Sequence, residues 1–170
     1  MCTEKLCKAN PEAKNYFNWL NRNKIPISII SLYGNPIHSG HIDYISDAFS
    51  SKAVLVAIVN TDKQVKIKGS QIFMDEQERL KIISAIKGVQ YAVLSIDDDG
   101  SVCETLRSIA ELTPDCPKAF KKGGDRTIGN IPEAKTCKEL GILMIFGVGG
   151  EKTQSSSWLL NKLKKEEGNG

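Results

Sequence analysis

The 170-residue chain is predicted to fold as one α/β domain around a mostly parallel sheet. Two observations support this prediction. Short apolar runs rich in β-branched residues alternate along the chain with longer segments whose apolar residues recur at helical spacing. The chain is 41% hydrophobic and 25% charged, which is enough to bury one hydrophobic core. Its 170 residues are too few for two domains with a separate core each.

The N-terminal segment, residues 1–25, is predicted to carry a leader helix at residues 11–23, with Pro11 as its first-turn residue. Its apolar side chains recur at helical spacing: Ala13, Tyr16, Phe17, Trp19 and Leu20. We expect this helix to pack on the sheet or on a partner subunit, ahead of a main domain at residues 26–165. Residues 166–170 are expected to form a flexible tail.

The first predicted strand is the β-branched run at residues 25–32, followed by a turn-rich stretch at residues 33–40. A helix comes next, and one of its faces is marked by Ile42, Ile45, Ala48 and Phe49. The continuous apolar run at residues 53–59 is typical of a parallel strand that is covered on both faces.

The second half of the chain continues this alternation. Helices are predicted at residues 74–87, 102–112 and 132–140 and from near Ser155, and strands at residues 89–96, around 119–120 and at 142–146. Residues 97–100 are expected to form an exposed turn, and Trp158 is expected in the core. The complete order predicts a single Rossmann-like α/β domain with a mostly parallel five-stranded sheet and helices on both faces. Ligands bind such sheets at the carboxyl ends of the strands.

The charge and cysteine patterns narrow the partners and the compartment. The net charge is +3 without any long block of like charges, so nucleic acid is not expected as a partner. The five cysteines are scattered and never form a Cys-x-x-Cys pair, which favours reduced thiols in a cytoplasmic protein. The polar first residues lack the apolar stretch of a signal peptide. No apolar run approaches the roughly 18 residues of a membrane span, so no membrane partner is expected.

The chain's two histidines lie three residues apart in the loop after the first strand, Gly34-Asn35-Pro36-Ile37-His38-Ser39-Gly40-His41. Glycine lets a backbone approach a ligand closely, and the helix that starts here offers free N–H groups and a positive dipole end to an anion. Two imidazoles beside that end can donate hydrogen bonds to phosphate oxygens. Three other interpretations stay open: a half-buried structural pair, a metal site of His-x-x-His spacing, and a glycine turn with incidental histidines.

Further motifs follow this loop in order. They are Val59-Asn60-Thr61-Asp62, Lys68-Gly69, Glu78-Arg79, Lys122-Gly123-Gly124-Asp125 and Gln154-Ser155-Ser156-Ser157. Together with the His-x-Gly-His run they resemble the cytidylyltransferase-like nucleotidyltransferases over about residues 26–163. The Lys-Gly-Gly-Asp run is similar to that of the heptose-phosphate adenylyltransferase branch. The loop from Lys68 to Arg79 also resembles that of the cytidylyltransferases for glycerol phosphate.

The resemblance implies that an acceptor phosphate attacks the α-phosphorus of CTP or ATP, with pyrophosphate leaving and Mg²⁺ accompanying the triphosphate. It implies catalytic roles for His38, His41 and Lys68, and substrate contacts for Arg79 and Arg126. No residue is implied as a metal ligand. The implied nucleotide contacts come from three loops: Tyr33, Gly34, Asn35, Gly40, Gly124, Asp125, Ser155, Ser156 and Ser157.

Several of these positions also have a plainer structural interpretation. Lys68 could belong to a solvated loop, Arg79 to a helix surface and Asp125 to a turn. Ser155–Ser157 would cap a helix in any protein.

The chain departs from the family pattern at two places. Gly34-Asn35 stand where the family usually has Phe-Asp, so a negative charge is lost. The arginine that cytidylyltransferases carry before their Ser/Thr run has no counterpart, and Lys152 is the nearest substitute. The missing arginine weakens the assignment of CTP.

The function predicted from the sequence is nucleotidyl transfer to a phosphorylated small molecule, with a sugar phosphate as the favoured acceptor, by a homodimer. A non-catalytic nucleotide sensor on the same fold is the first alternative, and a cytidylyltransferase for glycerol phosphate or phosphoethanolamine is another. A metal-binding structural module is a third. A complete class I aminoacyl-tRNA synthetase would need a longer chain.

Overall fold

The computed structural model describes residues 2–124, 129, 131–151 and 154–167. One sheet contains five strands: β1 Ile27–Leu32, β2 Val54–Val59, β3 Tyr91–Leu94, β4 Lys118–Gly123 and β5 Leu143–Val148. Their order is β3-β2-β1-β4-β5, and each neighbouring pair is parallel. The predicted single Rossmann-like α/β domain with a mostly parallel five-stranded sheet is confirmed.

The strand order reverses between β1 and β4. From β1 the chain steps outward to β2 and β3, and it then returns to the other side of β1 to form β4 and β5. The connections that leave β1 and β4 therefore diverge, which opens a crevice at the carboxyl ends of these two strands. The histidine loop follows β1, and Gly123-Gly124 lie at the end of β4, so the fold brings both predicted motifs to this crevice.

Helices cover both faces of the sheet. They are α1 Cys2–Ala9, α2 Ala13–Arg22, α3 Ser39–Ala48, α4 Asp62–Ile67, α5 Glu76–Ser84, α6 Cys103–Leu112, α7 Glu133–Glu139 and α8 Ser156–Glu167. Side chains alternate between the faces along β1: Ile27 and Ile29 join one buried cluster with α1, α2 and α6, whereas Ile30 and Leu32 join another with α3 and α5. The buried runs predicted for β1 and β2 reflect this double cover.

The N-terminal segment forms two helices where one was predicted, and both belong to the core. Leu6 and Phe17 are completely buried, and the Tyr16 ring stacks on Tyr91 of β3 with 4.2 Å between centroids. Between the helices, the buried Asn10 side chain donates to the Leu94 carbonyl at 3.2 Å and accepts from the Leu94 N–H at 2.7 Å. The segment therefore packs on the sheet of its own chain.

The predictions missed helix α4 altogether, although the sequence contains its signal. Thr61 and Gln64 form a reciprocal cap, in which the Gln64 side chain accepts from the Thr61 N–H at 3.0 Å and Thr61 Oγ1 accepts from the Gln64 N–H at 3.3 Å. This helix matters for the site because Lys68 follows directly at its C-terminal end.

Two expectations about exposure were wrong, and the first concerns Trp158, which was expected in the core and is 51% exposed. On the marked face of α3, Ile45 and Ala48 are buried, whereas Ile42 and Phe49 are 41% and 45% exposed. The turn at residues 97–100 is not exposed throughout, because Asp97 is buried and accepts from the N–H groups of Glu104 and Thr105 at the start of α6. The predicted tail overlaps α8, which continues to Glu167, and residues 168–170 lie outside the described residues.

Two further findings concern the cysteines and the helices. The four cysteines with described side chains, Cys7, Cys103, Cys116 and Cys137, are free thiols, and burial raises the pKa of Cys137 to about 12. Across the described ranges, no helix combines the length and the apolar character that a membrane crossing requires.

Candidate functional site

A cleft of about 390 Å³ opens at the carboxyl ends of β1 and β4. The histidine loop contributes Tyr33, His38, Gly40 and His41 to its lining, and Lys68 lies at one side. Gly124 and the serines at positions 155–157 complete the set of predicted residues that the structure brings together here. Gly34, Asn35 and Arg79 do not line this cleft.

The two histidines are held by a reciprocal cap at the start of α3. The Gly40 N–H donates to Nδ1 of His38 at 3.1 Å, and the His38 N–H donates to Nδ1 of His41 at 3.2 Å. The two rings lie 3.9 Å apart between centroids. Because each Nδ1 accepts a hydrogen bond, each neutral ring carries its proton on Nε2. Both imidazoles are therefore set up as Nε2–H donors.

His41 remains uncharged over the physiological pH range. Burial, together with the neighbouring His38 and Lys68, lowers the pKa of His41 from 6.5 to about 3. His41 therefore acts as a neutral hydrogen-bond donor and adds no positive charge to the cleft.

This pKa predicts a loss of stability in acid. The folded chain keeps His41 neutral down to about pH 3, whereas the unfolded chain takes up this proton near pH 6.5. The contribution of His41 to stability is therefore complete above pH 6.5 and falls by about 1.4 kcal/mol per pH unit below it. Between about pH 7.5 and pH 5, urea unfolding should show a loss of about 2 kcal/mol in the wild type that is absent in His41→Asn. Parallel pH curves for the two proteins would contradict this assignment.

Gly40 is required by the position of the His38 ring. A Cβ atom built on Gly40 would lie 3.0 Å from Cε1 and 3.1 Å from Nδ1 of His38, and 3.4 Å from the Gln154 carbonyl oxygen. The missing side chain lets the ring fold over the helix start and brings the segment before α8 close to it.

Asn35 was predicted to contact the nucleotide, but the structure places its side chain in a structural role. Its Nδ2 donates to the Gln71 carbonyl at 2.6 Å, and its Oδ1 accepts from the N–H groups of Phe73 and Met74 at 2.7 and 3.2 Å. The side chain is buried and joins the histidine loop to the segment before α5. An aspartate could not donate to Gln71, which explains an amide at this position.

Arg79 was predicted to contact the substrate, and the structure corrects this. Its side chain is completely buried. The guanidinium donates to the carbonyls of Met74, Tyr33 and Asn60 at 3.0, 2.7 and 2.6 Å, and it pairs with Asp62 at 2.7 Å. It thus ties the ends of β1 and β2 to α4 and α5. Gly34 has a φ of +60°, and a Cβ there would lie 3.2 Å from side-chain carbons of Ile37 and Ile83, which explains a glycine at this position.

Lys68 is an exposed cation at this side of the cleft. Helix α4 ends at its backbone, where the Lys68 N–H donates to the Gln64 carbonyl at 3.0 Å. Its Nζ lies 4.5 Å from the centroid of the Tyr33 ring, within the range of a cation–π interaction. The aromatic ring after β1 therefore supports the ammonium group next to the histidine loop.

A second helix N-terminus meets the same cleft. Ser155 is buried and caps α8, since its Oγ accepts from the Trp158 N–H at 3.2 Å. Ser156 Oγ donates to the Pro36 carbonyl at 2.8 Å, which fastens the start of α8 to the histidine loop. The N-termini of α3 and α8 therefore converge on one cleft, so that two positive dipole ends face the same space.

The end of β4 closes the opposite side. Gly123 packs against α3, since a Cβ there would meet the Val148 carbonyl oxygen at 3.0 Å and the Tyr44 ring at 3.1 Å. Gly124, with a φ of +68°, follows it into the cleft lining. The predicted contacts Asp125 and Arg126, and the substitute Lys152, lie outside the described residues.

Sequence reasoning missed several lining residues, of which Ser31, Lys122 and Glu133 matter most. Lys122 Nζ donates to Ser31 Oγ at 3.1 Å and lies 3.7 Å from the Glu133 carboxyl. The Lys-Gly-Gly-Asp run identified Lys122 as part of a motif, but no local pattern connects it with Ser31, which is 91 positions away.

Taken together, the cleft has the chemistry of a site for a phosphorylated ligand. It combines two helix N-termini, two Nε2–H donors and the Lys68 ammonium, each of which favours phosphate oxygens. Among the described residues, no group of three or more His, Cys, Asp or Glu side chains could hold a metal ion. The His-x-x-His spacing therefore lacks the further protein ligands that a zinc site would require within this part of the chain.

Comparisons with known proteins agree with this chemistry. The family model described as cytidylyltransferase-like matches residues 35–151. A D-beta-D-heptose 1-phosphate adenylyltransferase from Bordetella bronchiseptica is 31% identical over 132 residues, which cover 76% of this chain and 76% of that protein. An FAD synthase from Picrophilus torridus is 26% identical over 106 residues, which cover 62% of this chain and 70% of that protein.

A solved structure supports the fold. The lipopolysaccharide core biosynthesis protein from Thermoplasma volcanium is similar with a TM-score of 0.55 and 24% identity. The match covers 72% of this chain and 93% of that one.

Proposed function

The chain belongs to the cytidylyltransferase-like family of nucleotidyltransferases, and we propose that it transfers a nucleotidyl group from a nucleoside triphosphate to a phosphorylated small molecule. One observation carries this proposal: the N-termini of α3 and α8, two imidazole donors and Lys68 converge on one cleft. Such a set of groups suits a chain of phosphates that must be aligned with a second anion.

In the proposed reaction, a phosphate oxygen of the acceptor attacks the α-phosphorus of the triphosphate. The new P–O bond forms as the bond to the β-phosphate oxygen breaks, and its electron pair leaves with pyrophosphate. Since the nucleophile is already an anion, no general base is required. His38 and His41 donate from Nε2 to the phosphate oxygens, Lys68 neutralises charge between the two anions, and the start of α8 holds the leaving pyrophosphate.

Mg²⁺ is proposed to accompany the triphosphate. Because no cluster of three or more candidate metal ligands occurs among the described residues, the ion would be held mainly by phosphate oxygens and water, as this cation favours.

We propose ATP as the nucleotide and a sugar phosphate as the acceptor. The support is the Bordetella relative, whose name specifies both adenylyl transfer and a sugar phosphate, and whose match covers most of both chains. The FAD synthase relative favours a second candidate acceptor, a flavin phosphate, since FAD joins such a phosphate to an adenylyl group. CTP remains the alternative nucleotide. A cytoplasmic homodimer without nucleic-acid or membrane partners remains a prediction.

The reaction class can be tested directly. With Mg²⁺, we expect pyrophosphate release from ATP when a sugar 1-phosphate is supplied, and no release with the unphosphorylated sugar. The assay would compare ATP and CTP against sugar phosphates, a flavin phosphate and glycerol phosphate. Mass spectrometry of the joined product identifies the acceptor.

Tight triphosphate binding without pyrophosphate release on any acceptor would instead support the nucleotide sensor. Thermal shifts separate binding from turnover, because a ligand at 100 times its dissociation constant adds about 2.7 kcal/mol of stability. If no triphosphate shifts the melting temperature, both the enzyme and the sensor are ruled out.

A further inference from the structure

A buried carboxyl at the edge of the cleft is incompletely bonded. Glu133, the first residue of α7, has a side chain that is only 4% exposed. Its Oε1 accepts from the Val102 N–H at 3.0 Å, next to the start of α6. Its Oε2 is buried and accepts no hydrogen bond. Buried polar atoms of this kind are rare in proteins, because leaving an acceptor unsatisfied costs free energy.

Among the described residues, the cation that pairs with this carboxyl is Lys122, and it does not satisfy Oε2. Lys122 Nζ lies 3.7 Å from Oε2, which is too long for a hydrogen bond. The ammonium instead donates to Ser31 Oγ at 3.1 Å and lies 4.8 Å from the centre of the Phe120 ring. At this distance Lys122 balances the charge of Glu133. A carboxyl can therefore face the cleft without repelling a phosphorylated ligand.

We propose that Oε2 of Glu133 accepts a hydrogen bond from a hydroxyl group of the bound ligand, so that this end of the cleft recognises a sugar. The inference rests on the proposed function, in which the ligands carry phosphates and sugar hydroxyls. Phosphate groups have no role here, since their oxygens would face a carboxyl oxygen. A hydroxyl donates to a carboxyl and adds no charge beside Lys122.

Two sugars could supply this hydroxyl, the ribose of the triphosphate and the sugar of the acceptor. Both use the same chemistry at Glu133. Calorimetry with ATP, 2′-deoxy-ATP and 3′-deoxy-ATP tests the ribose. Turnover with an acceptor sugar phosphate and its singly deoxygenated analogues tests the acceptor.

The test compares the wild type with Glu133→Gln and with Glu139→Gln, a control on the exposed face of the same helix. In Glu133→Gln the amide oxygen can still accept from Val102, which leaves an NH₂ group in place of Oε2. We expect the wild type and the control to prefer one hydroxylated ligand over its deoxy analogue by about 10- to 100-fold, as a charged hydrogen bond implies. Glu133→Gln should lose most of this preference, chiefly through weaker binding of the hydroxylated ligand.

Two outcomes would overturn the inference. One is a wild type that makes no distinction between any hydroxylated ligand and its deoxy analogues, a result that needs no variant. The other is a folded Glu133→Gln protein that keeps the full preference. In either case, the proposed function still holds if the wild type releases pyrophosphate. If the wild type neither releases pyrophosphate nor binds a triphosphate, the proposed function itself is wrong.

Discussion

His41→Asn should leave the fold intact and lower turnover by about 100-fold or more. The Asn carbonyl oxygen can lie close to the position of Nδ1 and accept from the His38 N–H, so the cap of α3 is retained. What is lost is the Nε2–H, the proposed donor to the charge that develops on the transferred phosphate. Removing one such donor typically costs about 10²- to 10³-fold in turnover. Single-turnover assays with saturating triphosphate measure this loss.

His41→Gln is the matched comparison, because it restores a side-chain donor. A glutamine at this position of a helix start can accept from the N–H of the N-cap residue, as Gln64 does from Thr61, and its NH₂ group remains available as a donor. We expect His41→Gln to keep the cap and to be the more active of the two variants. Ser46→Asn, on the exposed side of the same helix, should behave like the wild type. Normal turnover by a folded His41→Asn protein would contradict a role in catalysis.

His38→Asn extends the argument to the N-cap residue. Asparagine is among the best N-caps, so it can replace Nδ1 of His38 as the acceptor of the Gly40 N–H. We expect unchanged or slightly higher stability together with a loss of turnover similar to that of His41→Asn. A His38→Asn protein that loses stability as well as turnover would instead indicate that His38 serves mainly to start α3.

The parts of the site that could be predicted from the sequence are those built by local geometry. His38, Gly40 and His41 lie within one helical turn. Their spacing in the sequence therefore already predicts that the start of a helix presents both rings. The parallel sheet likewise follows from the alternation of strands and helices, which brings every connection that follows a strand to one edge of the sheet.

The errors come from residues whose partners are distant in sequence. Asn35 bonds with a segment 36 to 39 positions away, and Arg79 reaches Tyr33 across 46 positions. The hydrophobic periodicity of a sequence does not predict such long-range hydrogen bonds. An arginine near the charged start of a helix is also usually exposed. The same limit hid the pairing of Glu133 with Lys122. Helix α4 differs, because its capping signal, Thr61 followed three residues later by Gln64, is local and can be read from the sequence.

The largest loss of stability is expected for Arg79→Met. This change keeps a side chain of similar reach but removes the donors to three carbonyls and the partner of Asp62. Breaking one side of a buried ion pair costs about 3–5 kcal/mol, and the orphaned carbonyls of Tyr33 and Asn60 add to that cost. For a chain of this size we expect the melting temperature to fall by about 10 °C or more.

Two further variants show whether the guanidinium itself is required. Arg79→Lys keeps the charge, but a single ammonium cannot span the ends of β1 and β2, so we expect it to recover only part of the stability. Lys81→Met on the exposed face of α5 removes a cation from the same helix and should leave the melting temperature unchanged. Because Tyr33 and Asn60 also line the cleft, Arg79→Lys should weaken triphosphate binding even where it is folded. An Arg79→Met protein that melts like the wild type would mean that these carbonyls do not depend on the guanidinium, and Arg79 would then be available for the substrate contact that its sequence motif predicts.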